Sequence, residues 1–212
     1  AEDLNDAAMF GWDVPKCAFN WTVLRDNVLA EVTRLEGLYT HTLTNHQVEI
    51  FHERATLTGH NEIRLASGKT ISAGKILIAT GARPNMPTIE GVEHAISSNE
   101  VFHLDHLPKR IVIAGGGYIA NEFAGIFHQF GSHVIVVNRS DVILRGYDEQ
   151  MRDRLLQISM TKGIEYRFNS SFNRIEKQED GGLFVDMEGC DDIEADAVLF
   201  AVGRTPNTEG LG

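Results

Sequence analysis

The stretch Arg110-Ile-Val-Ile-Ala-Gly115-Gly-Gly-Tyr118-Ile-Ala120-Asn-Glu122-Phe-Ala-Gly125 constrains the fold more than any other part of the chain. Its first residues read as a short apolar strand. Three glycines then make a turn, and Ile119, Phe123, Ile126, Phe127 and Phe130 recur at helical spacing up to Gly131, where a left-handed helix end belongs. Gly115 allows the turn to close tightly, Gly117 lets the backbone approach a pyrophosphate, and Ala120 is small enough for the helix to pack closely on the strand. A helix entered in this way points the N–H groups of its first turn at an anion. Glycine clusters open many unrelated loops, so the weight of the motif comes from the strand before it and the helix after it.

His133-Val-Ile-Val-Val137 reads as a second parallel strand. At the end of that strand an NAD site places a carboxylate on the ribose hydroxyls. This chain instead has Asn138 and Arg139, and Arg145 follows six residues later. A carboxylate repels a 2′-phosphate, whereas two guanidinium groups across a short loop can close on one phosphate carrying roughly −1.5 to −2 charges. Either arginine alone is an ordinary solvated surface charge. Their pairing at the tip of this strand predicts a site for NADPH rather than NADH.

The net charge of −11 argues against a nucleic acid or an anionic membrane as partner, since most of the surface repels phosphate. No apolar run reaches membrane-spanning length. The acidic, polar opening Ala1-Glu2-Asp3-Leu4-Asn5-Asp6 has none of the features of a secretory signal, and a cytoplasmic protein is expected. Cys17 and Cys190 have neither paired nor metal-ligand spacing and are expected to be inert packing residues. His103 and His106 stand without a carboxylate cluster, so no metal site is expected.

With 212 residues the chain can hold one large domain or two small ones. Asn20 to Leu43 is a long helical pattern, with Asn20 as its cap and a stripe of Leu24, Val28, Val32 and Leu35 expected to pack in a core. The alternating runs Gln47–His52, Ala55–Thr58, Glu62–Leu65 and Lys69–Ser72 predict a small antiparallel meander. Lys75-Ile-Leu-Ile-Ala-Thr80-Gly81 predicts a buried strand. Pro84, Pro87, Gly91 and Pro108 break up an irregular crossover, where a domain boundary is expected. From Arg110 the order is strand, helix, strand, a helix over 148–162 closed by Gly163, and a strand over 164–168, which is one mononucleotide-binding half of a doubly wound sheet. A hairpin follows around Asp180-Gly181-Gly182. The run from Asp196 to Gly203 is a second buried strand ending in glycine. The two glycine-ended runs predict either two nucleotide-contacting edges or two ordinary core strands with glycine turns.

Taken together, Ile76-Leu-Ile-Ala-Thr80-Gly81, the Gly115–Gly125 motif, Arg139 with Arg145, and Ala201-Val-Gly-Arg204-Thr-Pro-Asn207 resemble the FAD-dependent pyridine nucleotide-disulfide oxidoreductases. The likeness runs through nearly the whole chain and is greatest to the branch that reduces glutathione disulfide. It implies an α/β fold: a Rossmann-like NADPH-binding domain over 108–202 with a parallel sheet and a β-meander, part of a related FAD-binding domain with the crossover over 1–107, and a return segment over 203–212. It also implies a central portion of a longer enzyme. The family's flavin glycine motif and redox Cys-x4-Cys lie upstream, and its flavin-ribityl Gly-Asp and His-Glu pair lie downstream. Cys17 follows Val14-Pro15-Lys16 in the wrong order for the redox thiol and has no partner five residues away.

In such enzymes NADPH reduces the flavin, and the flavin reduces a disulfide that in turn reduces the substrate, here glutathione disulfide. The resemblance makes Tyr118 the residue that covers the nicotinamide pocket, and Glu122 the carboxylate on the nicotinamide side, whose lysine partner falls outside the chain. Gly115, Gly117, Ile119, Ala120, Asn138, Arg139, Arg145, Val202 and Gly203 fall on NADPH-binding positions, and Arg54, Ala55, Thr80, Gly81, Ser98 and Arg204 on the flavin side. Asn121 departs from the valine usual at its position. The likeness implies a homodimer whose contacts lie mainly in a C-terminal domain not included here. By itself this chain is expected to bind NADPH, to hold an incomplete FAD site and to lack turnover. A stand-alone NADPH-binding module is the competing class. Among the related enzymes, the lipoamide type is disfavoured by Asn138-Arg139.

Overall fold

The side chain of Asn20 accepts a hydrogen bond from the Val23 amide (3.2 Å), and this cap starts the long helix α2 (Trp21–Asn45) that follows the short helix α1 (Glu2–Ala7). The structure is a computed structural model describing residues 2–15 and 18–212; the expectation for Cys17 lies outside the described residues. The chain divides into two units, one containing the residues up to Val28 with Pro84–Gly203, the other Leu29–Arg83 with Arg204–Gly212.

In the smaller unit, β1 (Ala55–Gly59), β2 (Glu62–Leu65) and β3 (Thr70–Ser72) form an antiparallel meander around the buried Leu65. The fourth expected run, Gln47–His52, forms no strand, because alternation makes a strand only where another edge pairs with it. Lys75–Gly81 is likewise no strand, and Leu77 is 90% exposed. An apolar run becomes a buried strand only when neighbours cover both its faces. The chain pairs just beyond it instead, where β4 (Ala82–Pro84) meets β13 (Arg204–Pro206). The stripe on α2 is not core either: no residue of the helix is buried, and Val32 is 45% exposed. Periodicity establishes that a face is apolar without supplying what covers it.

The larger unit is layered by the alternation of its strand side chains. β5 (Ile96–Ser97), β6 (Arg110–Ala114), β7 (His133–Asn138), β8 (Glu165–Phe168) and β12 (Ala197–Phe200) form a parallel sheet in the order β5-β12-β6-β7-β8. Ile111, Ile113, Val134, Val136 and Leu199 pack on one face against Ala120, Ala124 and Phe127 of α3 (Tyr118–Gln129). Val112, Ala114, Ile135, Val137, Val198 and Phe200 pack on the other face against Ile175, Val185 and Met187. Those last residues belong to the antiparallel sheet of β9 (Ser171–Lys177), β10 (Leu183–Glu188) and β11 (Ile193–Ala195). Each fully buried side chain of this size contributes about 1.5–3 kcal/mol. The two-residue β5 and three-residue β11 are too short to leave a pattern in the sequence.

Both crossover helices end on glycine. Gly131 (φ +98°) donates its amide to the His128 carbonyl and Ser132 donates to that of Phe127, both at 3.0 Å. Gly163 (φ +109°) ends α4 (Glu149–Lys162) in the same way. At the start of α4, the Asp148 carboxylate accepts from the Met151 amide at 3.1 Å. Asp148→Ala is therefore expected to lower stability by about 1 kcal/mol, seen as a lower denaturant midpoint with an unchanged slope. No helix among the described residues is long and apolar enough to cross a membrane.

Candidate functional site

Parallel strands leave an open edge at their C-terminal ends, and the glycine turn lies on that edge. The Gly115 amide donates to the Val137 carbonyl and the Ala201 amide to the Ala114 carbonyl, each at 2.8 Å, so the ends of β6, β7 and β12 are held together. Gly115 has φ +123°, and a Cβ on it would lie 2.4 Å from the Ala201 carbonyl oxygen. A Cβ on Gly116 would lie 2.5 Å from the Asn138 amide nitrogen. These two glycines are required by the protein's own packing. Gly117 is different: a Cβ there meets nothing within 4 Å, so its bareness keeps open the space outside the turn.

Gly117 precedes α3 with no side-chain cap, and the first turn of α3 has no acidic residue. The N–H groups there have no intrahelical acceptor, and the positive end of the helix dipole is left for a ligand to meet.

The residues between Asn138 and Tyr147 form a loop beside this helix mouth. Asn138 donates its side-chain amide to the Ser140 hydroxyl (2.9 Å) and the Val142 carbonyl (2.7 Å), the Ile143 side chain is buried, and the Leu144 amide donates to the Gly116 carbonyl (2.6 Å). Held in this way, the loop faces Arg139 and Arg145 into one groove of about 580 Å³ shared with Gly116, Gly117 and Tyr118. Both arginines are exposed, and among the described residues no carboxylate lies within 4.0 Å of either. The groove thus combines free cationic groups with free backbone donors, a set that suits a dinucleotide carrying a third phosphate.

Asn138 lines the groove, but its amide nitrogen is engaged within the loop. Tyr118 stands at the mouth, 54% exposed, and Glu122 is exposed one helical turn further on. Gly115, Ile119 and Ala120 are not among the residues that line the groove; Ala120 is fully buried against the sheet. Glu122, Val202 and Gly203 do not line it, and the Gly203 carbonyl accepts from the Asn85 amide at 2.9 Å. Ser98 is half-buried beside Ser97, whose hydroxyl and amide donate to the Glu100 carboxylate and hold it below the usual carboxylate range.

In the smaller unit, the Thr80 hydroxyl donates to the Asn207 carbonyl (2.7 Å), Gly81 has φ +73°, Arg204 donates to the Ala82 carbonyl, and Arg54 donates to the Glu209 carbonyl (2.9 Å). Ala55 opens β1 opposite Leu65. Of the three anchors Asn138, Ile143 and Leu144, the sequence reading named Asn138 as a ligand position and missed Ile143 and Leu144. An isoleucine between two arginines in a polar loop was the available signal for Ile143.

A family profile described as pyridine nucleotide-disulphide oxidoreductase matches residues 4–212. Glutathione reductase of Burkholderia cepacia is 44% identical over 211 residues, covering 100% of this chain and 46% of that protein. Glutathione reductase of Nostoc sp. is 41% identical over 209 residues, covering 98% and 45%. Among solved structures, the HOCl-induced flavoprotein disulfide reductase RclA from Escherichia coli matches with a TM-score of 0.81 at 26% identity, over 98% of this chain and 46% of that one. The chain spans about half the length of the relatives it matches. Since the profile extends through both units and the glycine turn, the chain belongs to the pyridine nucleotide-disulphide oxidoreductases.

Proposed function

We propose that the groove binds NADPH and that the chain is the nucleotide-binding centre of a flavoprotein that reduces glutathione disulfide. The observation that carries the reading is the convergence of Arg139 and Arg145 on the groove that contains the glycine turn. On this reading the two guanidiniums grip the 2′-phosphate, the first amides of α3 face the pyrophosphate, Tyr118 covers the nicotinamide pocket, and Glu122 lies on the nicotinamide side. Residues 108–202 are assigned to the NADPH domain, and 1–107 with 203–212 to the flavin side, where Ala55, Thr80, Gly81, Ser98 and Arg204 contribute. When bound, NADPH supplies a hydride and FAD passes its electrons to a disulfide. The residues present suit the first of these groups and form only part of a site for the second.

The glutathione reductases at 44% and 41% identity support glutathione disulfide as the substrate. The family resemblance supports a cytoplasmic homodimer for the whole enzyme. This sequence contains no Cys-x4-Cys. The chain alone is therefore expected to bind NADPH without oxidising it when glutathione disulfide is added; steady turnover would refute that division of labour.

The decisive measurement is thermal stabilisation by NADPH and by NADH, since a ligand that binds only the folded state raises its stability in proportion to the logarithm of its affinity. NADPH is expected to stabilise the unsubstituted chain more than NADH. Charge-assisted hydrogen bonds contribute about 1.5–3 kcal/mol each, so Arg139→Ala or Arg145→Ala should cut that preference by roughly tenfold to a hundredfold. Equal stabilisation by both nucleotides would overturn the assignment.

A further inference from the structure

The whole side chain of Asn121 is engaged. Its amide nitrogen donates to the carbonyls of Gly117 (2.8 Å) and Gly116 (3.2 Å), and its oxygen accepts from the hydroxyl of Tyr166 on β8 (3.2 Å). Carbonyls only accept, so the nitrogen must be the atom facing them, and the tyrosine hydroxyl donates to the oxygen that remains. Tyr166 is half-buried and stacks on Phe168 at 5.9 Å, which gives the hydroxyl a fixed position.

A trans peptide is planar, with its C=O and N–H on opposite sides. Tying the Gly116 and Gly117 carbonyls back toward α3 therefore aims the amides of Gly117 and Tyr118 away from it, into the groove. Glycine backbone is the least constrained in the chain, and any ordering left undone before binding is charged against affinity. The Gly116 carbonyl also accepts from Leu144, so it is held from both sides.

We propose that Asn121, oriented by Tyr166, is a positioning residue that pre-sets the two peptide planes of the glycine turn for a pyrophosphate. This role rests on the reading of the groove as an NADPH site. Asn121 acts on the pyrophosphate shared by NADPH and NADH, whereas the arginines act on the 2′-phosphate, and the two contributions separate by ligand.

The test is a calorimetric titration of the 212-residue chain with NADPH, NADH and 2′-AMP, the last having the 2′-phosphate but no pyrophosphate. Asn121→Val is expected to weaken NADPH and NADH by the same factor, roughly tenfold for two lost hydrogen bonds, and to leave 2′-AMP unchanged because Leu144 still holds the arginine loop. Tyr166→Phe, which removes only the hydroxyl, should give the same pattern at about threefold and serves if Asn121→Val does not fold. Arg145→Ala should show the reverse pattern, losing NADPH and 2′-AMP affinity while keeping that for NADH. Unchanged dinucleotide affinity in both Asn121→Val and Tyr166→Phe, a loss confined to NADPH, or an equal loss for 2′-AMP overturns the positioning role alone. Absence of dinucleotide binding by the unsubstituted chain removes the NADPH reading and this role together.

Discussion

Gly115→Ala is expected to weaken dinucleotide binding sharply and to destabilise the larger unit. At φ +123° an L side chain is strained whatever the space around it, and here the added Cβ would lie 2.4 Å from the Ala201 carbonyl oxygen. That oxygen cannot retreat freely, because the Ala201 amide is bonded to Ala114 in the sheet. Relief requires moving a strand end or the turn, at a cost of about 3 kcal/mol or more. A shifted turn misaims the amides that follow, so NADPH affinity should fall by roughly a hundredfold or more. Gly117→Ala is the control. Its Cβ meets open space and its φ of −79° suits any residue, so the fold should keep its melting temperature while the methyl group crowds the ligand. Equal melting losses in the two variants would show that the distinction between packing glycine and ligand glycine is wrong.

Phe127→Ala should produce the largest loss of stability in the chain. Phe127 is fully buried on α3, between the sheet residues Ile113 and Val136 and the rings of Trp21 (6.0 Å) and Phe123 (6.3 Å). Truncating a buried phenylalanine costs about 3–5 kcal/mol, the lost transfer energy plus the cavity left behind. For a unit of this size the melting temperature should drop by roughly 10 °C or more. Trp21 provides a second readout: its indole donates to the Leu104 carbonyl at 2.7 Å and stacks on the ring that is removed, so its fluorescence should change in the folded variant. A melting temperature within a degree or two of the unsubstituted chain would mean that α3 is not seated on the sheet as described.

The sequence was most readable where one backbone position demands one residue type. Gly131 and Gly163 end their helices in the left-handed region because few other residues enter it readily, and the glycine turn was legible for the same reason. It was least readable where the outcome depends on a partner. Ile76–Ala79 and Ala197–Phe200 are nearly interchangeable as sequences, yet only the second becomes a strand, because β5 and β6 flank it on both edges. The α2 stripe was misread in the same way, its apolar face being real and its cover absent from the described residues. At the groove, the charged residues could be picked out by type and spacing. Of the residues that hold them, Asn138 was picked out as a ligand position and not as the amide clamp it forms, and Ile143 and Leu144 were not picked out, since they act through a buried side chain and a main-chain hydrogen bond that no motif records.

None of the three anchors of the basic loop is one of its arginines. On the proposed reading, the charges that select between the two nicotinamide nucleotides are carried on a scaffold that does not depend on them, and they can be exchanged without unfolding what they decorate. Under that proposal, cofactor choice in this chain is a property open to redesign at two positions.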